Sequence, residues 1–283
     1  MHIIKKKNSY YLRHSFKKEG KTVSREKYLG LSVPQDIEVI KSLFLSECRK
    51  EAFYDVFDII KKNFGDEWSH FPKSIKQKMI EEYSINFTYN TNAIEGSTIS
   101  EDETRDIVAH NLSSSKPLSD IKETERHALL FKKLLSKDAF ISKSSILFWH
   151  KELFSETKSD IAGKLRDYLV RVGGYTAPDW QDLPKLLNDF FKFCNKKNNM
   201  HVVEFAARAH YRFVKVHPFG DGNGRVGRLI MNVILWNNGF PLLVIEYKKR
   251  KSYYRALQKD EDYFVQYFLR RYLSSHKKYL QKK

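Results

Sequence analysis

HPFGDGNGRVGR, residues 217–228, decides how the rest of the chain is read. Three of the chain's 12 glycines, Gly220, Gly222 and Gly224, fall inside it, and a missing side chain there lets backbone amides close on an anion. From Arg225 onward the apolar residues Val226, Leu229, Ile230, Val233, Ile234 and Trp236 recur at mixed three- and four-residue spacing. Asn237, Asn238, Gly239 and Pro241 end that run, so the pattern predicts a helix. The loop thus precedes a helix N-terminus, whose acceptorless amides and positive dipole end favour phosphate. Arg225 and Arg228 share one face of the first turn, each a fork suited to phosphate oxygens. Asp221 is an acid among anion donors, which makes chemical sense if a hard cation such as Mg2+ joins it to the phosphates. His217 is the one group of the stretch that exchanges a proton near neutral pH, as a general base must.

Two plainer readings fit less well. DG and NG are hairpin-turn dipeptides, but the flanks are helical in period and do not alternate. A calcium loop starting at Asp221 would need a bidentate Glu at its twelfth position, where this chain has Asn232. The stretch instead resembles the signature of the Fic family: HPF, any residue, Asp or Glu, Gly, Asn, Gly or Lys, Arg, two variable positions, Arg. Every fixed position is matched. The resemblance implies a mainly α-helical bundle that transfers AMP from ATP to a hydroxyl of a protein Tyr, Thr or Ser. It implies His217 as base, Asp221 as Mg2+ ligand, Gly222, Asn223 and Gly224 around the phosphates, and Arg225 and Arg228 on the β and γ groups. Gly224, where kinase-like relatives carry Lys, favours nucleotidyl transfer over phosphorylation.

Working outward, residues 74–95 form a second informative stretch. Ile75, Met79, Ile80, Tyr83, Phe87 and Ile94 predict an amphipathic helix, and Gly96 is placed as its left-handed cap. Glu95 then faces the negative end of that helix, at a cost of about 0.3–1 kcal/mol that a nearby cation would offset. TNAIEG resembles the Fic inhibitory motif of Ser or Thr, three variable residues, Glu, then Gly or Asn, matched at Thr91, Glu95 and Gly96. The resemblance implies that Glu95 pairs with Arg228 and keeps the γ-phosphate from its productive seat.

Residues 161–178, IAGKLRDYLVRVGGYTAP, change to an alternating pattern broken by paired glycines, which predicts a hairpin. Similar segments of Fic proteins form a flap over the modified side chain, which implies that Val172, Gly173, Gly174 and Tyr175 border the nucleotide. RKSYYRALQ resembles the segment that places tyrosines around adenine, so Tyr253 and Tyr254 are taken as a pair, only one of which can face the base squarely from a helix.

The remainder reads mostly as scaffold. Residues 8–30 predict two short strands around KKEG, a basic, aromatic hairpin packing Tyr11, Phe16 and Tyr28. A helix follows over 36–63, and Gly65 and Pro72 bracket a linker holding Trp68. Ser100 and Glu103 make a capping box for a helix to His110. Further helices are expected over 121–135, 143–154, from near 182, and over 201–215, with His127, His150 and His210 given no chemical role. The expectation is a mainly α fold: a helical bundle with a short β-hairpin flap and a small N-terminal β-hairpin arm. Its segments are an arm at 1–33, a helical linker region at 34–72, an inhibitory-helix region at 73–110, a catalytic core at 111–275 and a basic tail at 276–283.

Composition bounds the function classes. With 283 residues, 41% hydrophobic and 14% aromatic, the chain can bury a sizeable core. Cys48 and Cys194 match neither metal-ligand spacing nor a disulfide framework. No apolar run is long enough to cross a bilayer, and the chain is read as cytoplasmic. Net charge is +17, but residues 1–30 carry +7 and residues 248–283 carry +9, leaving +1 between them. The partners expected are ATP with Mg2+ and a protein with an accessible hydroxyl, the chain itself included. A homodimer is left open, nucleic acid is a less favoured partner, and no membrane is expected. Two other functions stand beside AMP transfer: removal of AMP through a water positioned by Glu95, and a nucleic-acid or partner-binding regulator acting through the basic arm.

Overall fold

The computed structural model describes all residues except 19, 137–138, 173, 197–199 and 282–283. It divides into two units, Met1–Asn63 with His276–Lys283, and Phe64–Ser275.

The first unit opens with three antiparallel strands in the order β1 (His2–Lys6), β2 (Ser9–Lys18), β3 (Lys21–Gly30). The sequence predicts only the second and third. β1 escapes because its five residues, HIIKK, are few and group two apolar residues before two lysines without alternation, yet it pairs His2 through Lys6 with Arg13 through Ser9. Along β2 the alternation decides the faces: Leu12 and Phe16 are buried while Ser15 and Lys17 are exposed. The buried face packs with α1 (Ile37–Arg49), through Phe44 and Cys48, and with a π-helical turn, Lys50–Tyr54, through Ala52 and Phe53.

α2 (Asp55–His70) corrects the reading of a linker after residue 63, since both Gly65 and Trp68 lie inside it. A helical glycine costs about 1 kcal/mol. Tertiary packing overrides it, with Trp68 edge-on to Trp236 at 5.2 Å and tilted against Phe64 at 5.9 Å.

The second unit is helical: α3 (Lys73–Ile94), α4 (Glu101–His110), α5 (Leu118–Ser136), α6 (Lys143–Phe154), α7 (Leu183–Asn195), α8 (Val202–Val216), α9 (Asn223–Asn237), α10 (Arg250–Leu257) and α11 (Glu261–Ser275). Between α6 and α7 lies a hairpin of β4 (Arg171–Val172) and β5 (Tyr175–Thr176). At the centre α8 packs along α9, with α11 on α8 and α5 against α3 and α6. Ala206, Ala207 and Ala209 are wholly buried, and a Cβ on Gly227 would come within 3.0 Å of Val214, so small residues set this close approach. The Ser100–Glu103 capping box forms as read. Among the described residues no helix is long and apolar enough to cross a membrane.

Candidate active site

α8 ends at His217, whose φ of +51° is left-handed, a conformation histidine tolerates better than bulky or branched residues do. Its Nδ1 lies 3.2 Å from the Val214 carbonyl. A carbonyl only accepts, so Nδ1 carries the proton and Nε2 presents the lone pair. Burial pushes the His217 pKa below the ordinary histidine value, leaving the ring neutral at neutral pH. Asn223 braces the loop that follows: Oδ1 accepts from the Phe219 amide at 2.9 Å and Nδ2 donates to the Phe219 carbonyl at 2.8 Å. The side chain expected near the phosphates is thus spent on the loop, and its contribution to an anion is its backbone amide at the start of α9. Gly222 is required twice over, by a φ of +78° and because a Cβ would meet the Phe154 ring at 2.4 Å.

Arg228 is 1% exposed and reaches α3. Its Nε donates to Thr91 Oγ1 at 2.6 Å, and Nη2 donates to the Thr91 carbonyl at 3.1 Å and to Glu95 Oε1 at 2.5 Å. Burial works against the Arg228 charge, but Glu95 outweighs it and holds the guanidinium pKa above its ordinary value. Glu95 sits over the first turn of α9: a Cβ on Gly224 would fall 2.2 Å from its Oε1. A carboxylate therefore stands where backbone amides and the helix dipole favour an anion.

The two arginines, expected to grip phosphates together, diverge to different helices because each finds its own acid. Arg225, 4% exposed, donates through Nη1 to Glu123 of α5 and lies 3.4 Å from Asp221 through Nη2. Asp221 is also held by Lys158, whose Nζ is 2.6 Å from Oδ2 and 3.1 Å from Glu123. Burial raises the Asp221 pKa, but Arg225, Lys158 and the Gly222 amide outweigh it, so the carboxyl stays ionised well below neutral pH. Among the described residues no group of three His, Cys, Asp or Glu side chains gathers to hold a metal ion. One ionised carboxylate beside a phosphate seat nonetheless fits Mg2+, which commonly takes one or two carboxylates and completes its shell with waters and substrate phosphates.

His150, read as packing, has a positioning role that its sequence context hid. The Gly163 amide donates to Nδ1 at 2.9 Å, which leaves the proton on Nε2 to donate to the Asp221 carbonyl at 3.0 Å. Burial lowers its pKa to about 4, so the donor is a neutral ring, stacked on Phe219 at 3.9 Å.

Arg166 was equally invisible as one arginine among many. Its Nε donates to the His217 carbonyl at 2.8 Å, Nη1 to the Tyr168 carbonyl at 2.8 Å and Nη2 to the Pro178 carbonyl at 2.7 Å. One guanidinium therefore ties both limbs of the flap to the base. Arg166→Lys keeps the charge but loses the planar fork. We expect it to cost about 1–3 kcal/mol of stability and to speed hydrogen exchange of the Ala177 amide, which donates to the Val170 carbonyl across the flap.

Of the flap residues, Val172 is 48% exposed and pairs with Tyr175, whose hydroxyl donates to the Lys215 carbonyl at 2.6 Å. Gly174 has open space where a Cβ would stand, and Gly173 lies outside the described residues. The tyrosine pair separates. Tyr253 is buried, with its hydroxyl on His210 Nε2 at 2.8 Å and 3.4 Å from Arg228, so it supports the arginine and offers no open ring to adenine. Tyr254 is 39% exposed and donates to the Ile94 carbonyl at 3.0 Å, next to Glu95.

Residues 140–235 match the model of the Fic/DOC family. The chain is 34% identical over 193 residues to the protein adenylyltransferase Fic of Aedes aegypti, covering 66% of this chain and 39% of the relative. To the protein of the same name in Nematostella vectensis it is 32% identical over 201 residues, covering 69% and 47%. It thus spans about two fifths to one half of the curated relatives it matches. Among solved structures, residues 134–508 of Fic-1 from Caenorhabditis elegans superpose with a TM-score of 0.67 at 27% identity, over 87% of this chain and 76% of that one. The unbroken HPFGDGNGRVGR motif, seated between α8 and α9 and joined to those likenesses, makes this chain a member of the Fic/DOC family.

Proposed function

We propose that this chain is a protein adenylyltransferase that moves AMP from ATP to a Tyr, Thr or Ser hydroxyl of a protein, restrained by Glu95. Two observations support the reading: His217 Nδ1 lies on the Val214 carbonyl at the end of α8, which leaves Nε2 to take a proton, and the Glu95 carboxylate stands over the first turn of α9, where an anion is favoured. The triphosphate lies on the amides of the first α9 turn, with Arg228 on its end once Glu95 withdraws. His217 Nε2 takes the proton of the acceptor hydroxyl, whose oxygen bonds to the α-phosphorus as the bond to the β-phosphate oxygen breaks and pyrophosphate departs. Mg2+, bound at Asp221, would neutralise charge developing on the phosphates. Arg166 and the flap keep the acceptor in register with the base.

Incubation with ATP labelled at the α position or at the γ position tests this directly. Protein-bound label is expected from the first only, with an AMP adduct in the mass spectrum. Label from the γ position would assign phosphorylation, and loss of AMP from a modified protein without transfer would assign the reverse reaction.

Lys158 competes with a metal for Asp221. Lys158→Ala is expected to lower the Mg2+ concentration for half-maximal nucleotide binding about two- to fivefold, the range for a pair this exposed. Titration calorimetry with ATP at graded Mg2+ reads it, and an unchanged midpoint would show that the ammonium leaves at no cost.

A further inference from the structure

We infer that the open face of the N-terminal sheet binds duplex DNA in the major groove, a partner unrelated to the nucleotide chemistry of α9. The register sorts the side chains of the sheet. Leu12, His14, Phe16 and Lys18, with Val23, Arg25 and Lys27 opposite them, share the face that packs on α1 and the π-helical turn. Three cations of that face meet acids of the helices beneath it, Arg25 at 2.8 Å and Lys18 at 3.7 Å from Glu51 of the π-helical turn and Lys27 at 3.3 Å from Glu47 of α1, while Lys21 stands opposite Lys18.

The other face carries His2, Ile4 and Lys6 of β1, Ser9, Tyr11, Arg13, Ser15 and Lys17 of β2, and Thr22, Ser24, Glu26 and Tyr28 of β3. Lys6 and Arg13 share the single acid Glu26, at 2.6 and 2.5 Å. Lys17 adds a further cation, and Lys7 sits at the β1–β2 turn with a left-handed φ of +51°. The face is therefore positive. It is also aromatic and hydroxylic: Tyr28 is 58% exposed, its ring 5.4 Å from Tyr11, and Ser15 and Ser24 bond to one another at 2.7 Å. Ile4 is its one aliphatic side chain among the described residues, and the rest are polar, charged or aromatic. Arginine, serine and threonine are the side chains that meet base edges and phosphate oxygens.

Geometry selects the partner. β2 and β3, paired along most of their length, form a two-stranded ribbon, the kind of element that a major groove about 12 Å wide admits. The 10 residues of β2 extend about 33 Å, roughly one helical turn of DNA. The deep, narrow major groove of duplex RNA excludes such a sheet.

The test is fluorescence anisotropy of a labelled random-sequence DNA duplex with the full chain at graded salt. Binding is expected to weaken linearly on a log–log plot, each phosphate contact contributing about −0.9 to the slope. Lys6→Ala, Arg13→Ala and Lys17→Ala together are expected to make the slope shallower by about 3 and to lower affinity at least about tenfold. Lys17→Glu alone, outside the Glu26 cluster, is expected to weaken binding with an unchanged melting temperature, which guards against a triple variant that fails to fold. Lys248→Ala, Lys249→Ala and Lys251→Ala remove equal charge elsewhere and should leave most of the affinity in place. No binding at low salt, equal losses from both triple variants, or equal affinity for single-stranded DNA, duplex RNA or a polyglutamate peptide would each overturn the assignment.

Discussion

His217→Ala is expected to lower AMP transfer by about 10²–10⁴-fold, the contribution of a positioned general base. Alanine also removes the side chain from a left-handed residue, and a loss of activity could then be blamed on backbone strain. His217→Asn separates the two effects, because asparagine tolerates a φ of +51° yet cannot take up the proton. Both variants should therefore fail in transfer while only the alanine variant loses stability. The wild-type pH profile supplies an independent check. Burial pushes the His217 pKa below the ordinary 6.5, and the base works only when unprotonated. kcat/KM should accordingly be flat across neutral pH and fall only on the acid side of 6.5. An inflection above 6.5, or an asparagine variant with wild-type transfer, would remove His217 from the chemistry.

What could be read from the sequence was whatever is local. The loop, the 15-residue helix after it and the cap at Gly96 are each local stretches, and periodicity with turn chemistry specifies them. Glu95 and Arg228 are 133 residues apart, and only the resemblance of two short motifs links them in the sequence. The residues that escaped are those whose work depends on tertiary neighbours. Glu123 and Lys158 carry no motif, and their meaning arises where α5 and the segment after α6 meet Asp221. His150 looks like a core histidine until the Gly163 amide fixes its tautomer. Helical spacing puts Arg225 and Arg228 on one face, and the family resemblance gives both of them to the phosphates. Spacing sets the direction in which side chains leave a helix and says nothing of which acids await them. The same limit explains Tyr253, whose ring belongs to the core beneath Arg228 and not to an open nucleotide face.

Glu95→Gly is expected to raise self-labelling from α-labelled ATP by about 10- to 150-fold at subsaturating ATP. That range corresponds to removing a competitor held by a charge-assisted hydrogen bond of about 1.5–3 kcal/mol. The same substitution has a second, opposite consequence. Arg228 is 1% exposed, and Glu95 is the carboxylate that answers its charge, so the glycine variant buries an unanswered guanidinium. Breaking a buried pair costs about 3–5 kcal/mol, and the two bonds to Thr91 that survive should keep the loss near the lower end. The variant should thus melt below the wild type without ligand. A triphosphate restores a negative partner to Arg228, so Mg-ATP should raise the melting temperature of the variant more than that of the wild type, in proportion to its tighter binding. ADP, which lacks the γ group, should stabilise the two proteins nearly alike. Faster labelling, lower ligand-free stability and larger ATP stabilisation stand or fall together, because all three arise from one carboxylate leaving one guanidinium. Faster labelling with unchanged melting would mean that the carboxylate acts on the acceptor and not on Arg228, while lower melting with no gain in labelling would leave Glu95 a structural partner of the arginine and no brake.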